Sequence, residues 1–258
     1  MEVNLNSCVN EKFVSFLEYL KNERIYVIGE NEIFKEEDQY SEEQVLNQIK
    51  TITVFHKAAC NYREQEIRSI KSGTGKLIEK YKLNTKTVKY FLRNLNGNSK
   101  NEFENMLIQY SNQYMARAEK CLEAVKRINY VSLIRRSMQN NEICIGNSYF
   151  TNLVNMDQVK IFSLKECKYD IVEMDCVYLL GKLKRRGIKL NWLKLAKEFC
   201  ILEQLNNNSE DLITSLVSFP HEYMKCCVRY IKNKKQWTID EYMENMLKAI
   251  EKDGLSLI

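Results

Sequence analysis

The chain contains a single proline, Pro220, and only eight glycines among 258 residues. A sandwich or barrel of many short strands needs turn residues at close intervals, so this scarcity excludes both and predicts a mainly helical fold. Histidine is scarcer still, with His56 and His221 as the two copies. Two imidazoles do not assemble into a Ser-His-Asp or Cys-His arrangement here, and they leave no ligand set for a structural zinc ion. No apolar run approaches the roughly 18 residues that cross a bilayer. The first twenty residues carry Glu2, Asn4, Asn6, Asn10 and Glu11, so neither a membrane span nor an export signal is expected. None of the nine cysteines are spaced Cys-x-x-Cys, and their number is odd. Cys8, Cys60, Cys121, Cys200, Cys226 and Cys227 mostly fall within helical apolar patterns, which reads as reduced packing thiols of a chain folded in the cytosol.

What is present suits an ordinary folded protein. Hydrophobic residues make up 45% and charged residues 28%, and a chain of 30.6 kDa is long enough to build a core as one domain or two closely packed lobes. The net charge of +5 is a small difference between 39 basic and 34 acidic residues and does not imply nucleic acid. The densest basic stretches, 182–186 and 232–235, each end a helix-like apolar pattern, where cations complement the helix dipole; both read as solvated helix ends. A basic helical nucleic-acid binder resting on 182–189 and 232–235 is therefore a minor alternative.

Periodicity orders the chain as helices, a small β insert, then helices again. Phe13, Leu17 and Leu20 share one face of a helix over 10–23, and Ile25 to Ile28 follow as a short strand before Gly29. Ser41 and Gln44 form a capping box ahead of Val45, Ile49, Ile52, His56 and Ala59, with His56 expected as a core histidine bonded to backbone. Two shorter helices are read over 74–83 and 86–95. Ser99 with Glu102 opens the longest helix, whose buried stripe runs Phe103, Leu107, Tyr110, Tyr114, Ala118, Cys121 and Val125. Three β-leaning runs, 143–145, 152–154 and 159–162, follow, with 155–158 as the turn of a hairpin. Helices return over 170–184, 190–205, 209–217, 220–232 and 239–252, the last behind the capping pair Thr238 and Glu241.

Two short stretches invite chemical readings. Lys71-Ser72-Gly73-Thr74-Gly75-Lys76 suggests a phosphate loop, but a Walker motif needs Gly and Ser or Thr where Ile70 and Leu77 stand, so it reads as a turn with Thr74 capping the next helix. The second stretch is Ile145-Gly146-Asn147-Ser148-Tyr149-Phe150-Thr151-Asn152. Its spacing is that of a phosphotransferase catalytic loop, in which an acid and an asparagine stand five residues apart. Asp170 and Asp175, in a small-apolar setting after the β insert, are the two carboxylates not placed on solvent faces.

From Thr51 onward the chain resembles the CotS family of spore-coat proteins, which share the fold of aminoglycoside phosphotransferases and choline kinases. The resemblance is carried by Phe55-His56-Lys57-Ala58-Ala59, by Ser72 to Lys76, by the segment Phe103 to Ile128, and by Leu216 to Tyr223 with Arg229, Tyr230 and Trp237 after it. It implies a mainly α, α+β fold: a protein-kinase-like C-terminal lobe over 41–258 with a small β-hairpin insert. Over 1–40 it implies a reduced N-terminal lobe or linker remnant, since no Gly-rich loop or strand lysine paired to a helix glutamate is found there.

Family kinases carry His-Gly-Asp-x-x-x-x-Asn in this loop and a later Ile-Asp-Phe-Asp. Here the loop positions hold Ile145, Gly146, Asn147 and Asn152, and the later ones hold Phe162, Ser163, Leu164 and Lys165. An amide cannot take up a proton at neutral pH, a role worth about 10²- to 10⁴-fold in rate. Losing the carboxylate at 163 removes a magnesium ligand, and Lys165 adds a positive charge where the metal would lie. Cys167, Asp170 and Asp175 match the family and imply structural roles. The resemblance thus implies a non-enzymatic, pseudokinase-like protein without cofactor or metal, made in the mother cell and placed in the spore coat, with other coat proteins as partners. Membrane, nucleic acid and nucleotide are not expected as partners. The alternative is a divergent small-molecule phosphotransferase that recruits metal through Asp157 or Asp170. Fifteen tyrosines and nine cysteines would offer a coat protein groups for oxidative cross-linking, although packing accounts for most of them.

Overall fold

The computed structural model describes residues 15–29, 36–62, 70–95 and 98–258. Among these the chain is mainly helical, with ten helices and two small three-stranded sheets. A first helix, α1, covers 15–22, and its buried face is Phe16 and Leu20, with Leu17 half-exposed; Phe13 lies outside the described residues. Strand β1 (Ile25–Val27) follows.

Helix α2 (Glu42–Asn61) starts where its capping box was expected: the Ser41 hydroxyl accepts from the Gln44 amide at 3.2 Å and the Gln44 side chain accepts from the Ser41 amide at 2.8 Å. Val45, Ile49, Ile52, His56 and Ala59 are all buried on it. Strand β2 (Lys71–Ser72) then leads into α3 (Lys76–Leu95), one continuous helix rather than two. Asn84 and Thr85 do not break it: Thr85 is buried, and its hydroxyl is satisfied within the helix by the Tyr81 carbonyl at 2.9 Å. Thr74 does not cap α3: its hydroxyl donates across to the Tyr169 carbonyl at 3.5 Å. Helix α4 (Glu102–Arg127) is capped by Asn101, whose side chain accepts from the Glu104 amide, and not by Ser99. A separate helix, α5 (Tyr130–Asn140), begins after Asn129 turns the chain at a φ of 51° and ends at Asn141 with a φ of 50°, positions where asparagine tolerates left-handed backbone.

The β insert is wider than a hairpin. Strands β4 (Leu153–Asn155) and β5 (Val159–Ile161) pair antiparallel as the hairpin, but β1 joins them in parallel, with Ile25 opposite Val159. Strand β3 (Ile143–Cys144) pairs antiparallel with β6 (Lys168–Tyr169), and β2 lies parallel on the other edge of β6, with Lys71 opposite Lys168. Together the two sheets hold the segment 144–168 between them.

Helix α6 (Glu173–Arg185) is the buried axis of the C-terminal half; Met174, Asp175, Cys176, Val177, Leu179, Leu180 and Leu183 are all inside. Against it pack α7 (Trp192–Leu202), α8 (Asn207–Ser218) and α10 (Ile239–Asp253), while α9 (His221–Ile231) packs on α10 and α3. One hydrophobic core runs through the described chain and includes Phe16, Leu20 and Ile25 as well as the helices after Ser41.

The basic stretch at the end of α6 is not a solvated end. Lys182 sits 3.5 Å from the centre of the Tyr149 ring, Arg186 bonds the Tyr149 hydroxyl at 2.8 Å and pairs with Glu36, and Lys184 bonds the Asp253 carbonyl. The later stretch, Lys232 to Lys235, is exposed. Pro220 precedes α9 and has no side-chain acceptor for its first amides. Asp253, at the far end of α10, supplies one, its two oxygens accepting from the Glu222 and Tyr223 amides at 2.9 and 2.8 Å. Arg117 of α4 fastens the same corner by donating to the carbonyls of Ser218, Asp253 and Gly254. Eight cysteines are described, all as free thiols; seven are buried and Cys60 is half-buried, while Cys8 lies outside the described residues.

Candidate functional site

The loop 145–152 leaves β3 and returns as β4, so both of its ends are fixed by sheet. Its first two amides are held from below by Asp175, in the first turn of α6. One carboxylate oxygen accepts from Ile145 N–H at 2.7 Å and the other from Gly146 N–H at 2.9 Å, while the Ser148 hydroxyl donates to the Asp175 carbonyl at 2.8 Å. Gly146 is required here twice over. Its φ is +78°, and a Cβ at this point would fall inside the Glu166 carbonyl. From α2, Gln48 donates to the carbonyls of Ser148 and Leu153, both at 2.9 Å.

Asp175 is also one end of a buried relay. His56 Nε2 lies 3.0 Å from an Asp175 oxygen, and His56 Nδ1 lies 2.8 Å from Glu203. His56 therefore bonds two carboxylates and not backbone, which corrects the expectation from its apolar stripe. Burial alone would lower its pKa; the Glu203 charge and the hydrogen bonds to Asp175 and Glu203 outweigh that and push it up to about 10. The imidazole is thus a buried cation at neutral pH. Cys144 lies close by, so that His56, Cys144 and Asp175 have donor atoms within 4.8 Å of one another. Each of these groups already has a hydrogen-bond partner: His56 is engaged by Asp175 and Glu203, Asp175 by the Ile145 and Gly146 amides as well, and the Cys144 thiol, whose pKa burial raises, donates to the Ile171 carbonyl at 3.1 Å, so the cluster is closed by hydrogen bonds. A second ionic knot lies beside this one. Arg136 of α5 forks to Glu142 at 2.7 Å and to Glu173 at 2.7 Å, Glu142 accepts from the Val172 amide, and Ser209 of α8 donates to Glu173 at 2.6 Å.

On the outer side of the loop, Asn152 is 3% exposed and fully engaged. Its amide nitrogen donates to the Asn147 carbonyl at 2.8 Å and the Ser163 carbonyl at 3.1 Å, and its oxygen accepts from Ser163 N–H at 2.9 Å. The Ser163 hydroxyl accepts from Lys165 N–H at 3.3 Å. Asn147 Oδ1 is buried with no hydrogen-bond partner among the described residues.

Ser163 and Lys165 open onto a cleft of about 880 Å³, which also takes in Lys71, Gly73, Lys76, Lys168 and Asp170. Asn147 and Asn152 do not line it. The floor is pinned by Gly73, whose N–H donates to the Tyr169 carbonyl at 2.8 Å and whose missing Cβ would stand 2.5 Å from the Lys168 side chain and 2.8 Å from Asp170. Asp170 is 3.8 Å from Lys168. Burial raises its carboxyl to about 6, against the opposing pull of Lys168 and the Ile171 amide.

The residues singled out in the sequence are therefore split between two places. Ile145, Gly146 and Asp175 meet under the loop, Asn147, Asn152 and Ser163 form its outer staple, and Lys165 and Asp170 face the cleft. Gln48, Arg136, Glu142, Glu173 and Glu203 complete the arrangement and were not found by sequence reasoning. The one signal for them was His56 on an apolar stripe, which demands a partner but does not locate it. No model of a known protein family matches the chain, and no curated protein is significantly similar to it.

Proposed function

We propose that the chain is a non-catalytic protein built on a phosphotransferase-like helical lobe, and that it acts as an interaction module of the spore coat. The observation that carries the first part is the loop staple. The two positions where phosphoryl transfer needs carboxylates hold Asn147 and Ser163, and Asn152, which would hold magnesium, spends its amide on two carbonyls and its oxygen on an N–H. What survives of the loop is its scaffold: the Asp175 clamp, the β3 to β6 pairing and the β4 to β5 hairpin. The cleft beside it is lined by Lys165 in place of a metal-binding carboxylate. The placement in the coat, with other coat proteins as partners and the mother cell as the site of synthesis, rests on the sequence resemblance.

The test is thermal unfolding of the full chain with ATP, with and without magnesium. A ligand present at a hundredfold excess over its Kd would stabilise the fold by about 2.7 kcal/mol. The expected result is no stabilisation that depends on magnesium. A saturable shift that requires the metal would overturn the non-catalytic reading.

A further inference from the structure

We infer that the cavity of about 830 Å³ beside His56 and Glu203 binds a guanidinium or primary ammonium group, carried either by a free amine or by a basic side chain of a peptide. The inference does not depend on how the loop 145–152 is read.

Three helices end at this cavity. Cys60 and Asn61 close α2, Gln139 to Asn141 close α5, Glu203 caps α7, and all of them line it. A helix C-terminus carries roughly half a negative charge and carbonyls without intrahelical donors, so basic residues are favoured in its last turn. None of these three helices has one there, whereas α3, α4, α6, α9 and α10 all do.

Glu203 points to a cationic ligand independently. As the C-cap of α7 it adds a full negative charge to the negative end of a helix dipole. Its side chain is only 8% exposed; one oxygen lies 2.8 Å from His56, and the other has no partner among the described residues. His56 is shared with Asp175, which has two loop amides besides, while no amide donates to Glu203 among the described residues. Arg136, the other cation in the wall, is held by Glu142 and Glu173. Lys57 stands exposed at the rim and makes no ion pair among the described residues. Glu142, Glu203 and Arg136 find all their partners among the described residues; the segment 63–69, which follows α2 in sequence and lies outside them, has Arg63 and Arg68 against Glu64 and Glu66 and so brings no net charge. A ligand with both positive charge and N–H donors answers the open carboxylate oxygen and the helix carbonyls together, and the flat fork of a guanidinium matches such acceptors best. The volume lies within the range of about 300–1,000 Å³ usual for small-molecule sites.

The experiment is isothermal titration of the full chain at low salt and pH 7.5, with methylguanidinium in one arm, a capped Gly-Arg-Gly peptide in the second, and tetramethylammonium, a cation without N–H donors, in the third. Saturable binding is expected in at least one of the first two arms and not in the third; methylguanidinium binding assigns the site to the free group, and binding of the peptide alone assigns it to a basic side chain. Glu203→Gln should weaken that binding about tenfold or more. Because this change also disturbs His56, Asn140→Lys is the second variant: the position is exposed, and its lysine supplies the cation that the end of α5 lacks. Affinity should again fall about tenfold or more, with the unfolding temperature at or above the parent's. Absence of saturable binding in both of the first two arms, equal binding of tetramethylammonium, or unchanged affinity in Asn140→Lys overturns the inference and leaves the non-catalytic reading in place.

Discussion

Replacing His56 by glutamine tests the buried relay under the loop through its pH dependence. His56 is held between Asp175 and Glu203 and its pKa is raised from 6.5 to about 10. A group whose pKa is raised by folding contributes stability that is complete below its ordinary value and vanishes as the pH passes its folded value. Between pH 7 and 10 the native protein therefore carries one proton that the unfolded chain has lost, and its stability falls by about 1.4 kcal/mol per pH unit from this group alone. Glutamine keeps the bulk and one donor but binds no proton. At pH 7.5 the His56→Gln variant should be less stable by about 3 kcal/mol, as expected when one member of a buried charged set is removed. By pH 9.5 the gap between parent and variant should have closed by about 2.5 kcal/mol. Urea unfolding of both proteins at pH 7.5, 8.5 and 9.5 measures this, and taking the difference cancels the lysines and tyrosines that titrate in both. A gap that stays constant across that range would show that His56 is neutral in the fold, and the relay would be refuted.

Three further outcomes follow from the same geometry. Asp175→Ala removes the acceptor of two loop amides and the partner of a buried cation, so it should lower the unfolding free energy by about 3–5 kcal/mol; an unchanged urea midpoint would contradict the clamp. Gly146→Ala puts a Cβ against the Glu166 carbonyl at a φ of +78° and should cost more than about 1 kcal/mol by the same assay, with the loop displaced toward Ser163. Asn147→Asp together with Ser163→Asp puts carboxylates at the two positions where the proposed phosphotransferase-like reading expects them, yet should give no ATP turnover, because Lys165 still lines the cleft and the Asn152 amide is committed to the staple; magnesium-dependent phosphate release from this variant would overturn the non-catalytic reading.

How far the sequence could be read depended on how local each cause was. The capping boxes at Ser41 and Thr238 join residues three apart, and both are present with both hydrogen bonds. The buried stripe of α2 is likewise a matter of one helix and its period. The errors are of three kinds. A division of α3 at residues 84–86 takes weak propensity as a break, while packing on α4 and α9 keeps the helix whole. The strand at Lys71–Ser72 was read as a turn because two residues carry no alternation, and its cause is a partner strand almost a hundred positions away. The cations of 182–186 looked solvated because their counterparts, Tyr149, Glu36 and Asp253, are equally remote in sequence. His56 belongs with these: its periodicity declared it buried, but nothing near it named Asp175, 119 residues on, or Glu203, 147 residues on. The loop 145–152 is itself short and local, but its supports are not: nothing in its own residues named Asp175 or, a hundred positions earlier, Gln48.

The cap on α9 carries a consequence for how the chain is made. The carboxylate that satisfies the first amides of this helix comes from Asp253, 31 and 30 positions after the groups it bonds, and Pro220 offers no local substitute. Asp253 follows the last residue of α9, Ile231, by 22 positions, so at elongation rates of about 5–20 residues per second the whole of α9 precedes its cap by roughly 1–4 s. The apolar face that α9 turns toward α3 is complete during that interval, but its N-terminus is not. Closure of this corner is therefore timed by the ribosome, and slowing translation between codons 224 and 253 should lengthen the period in which the nascent chain is open to proteases and chaperones.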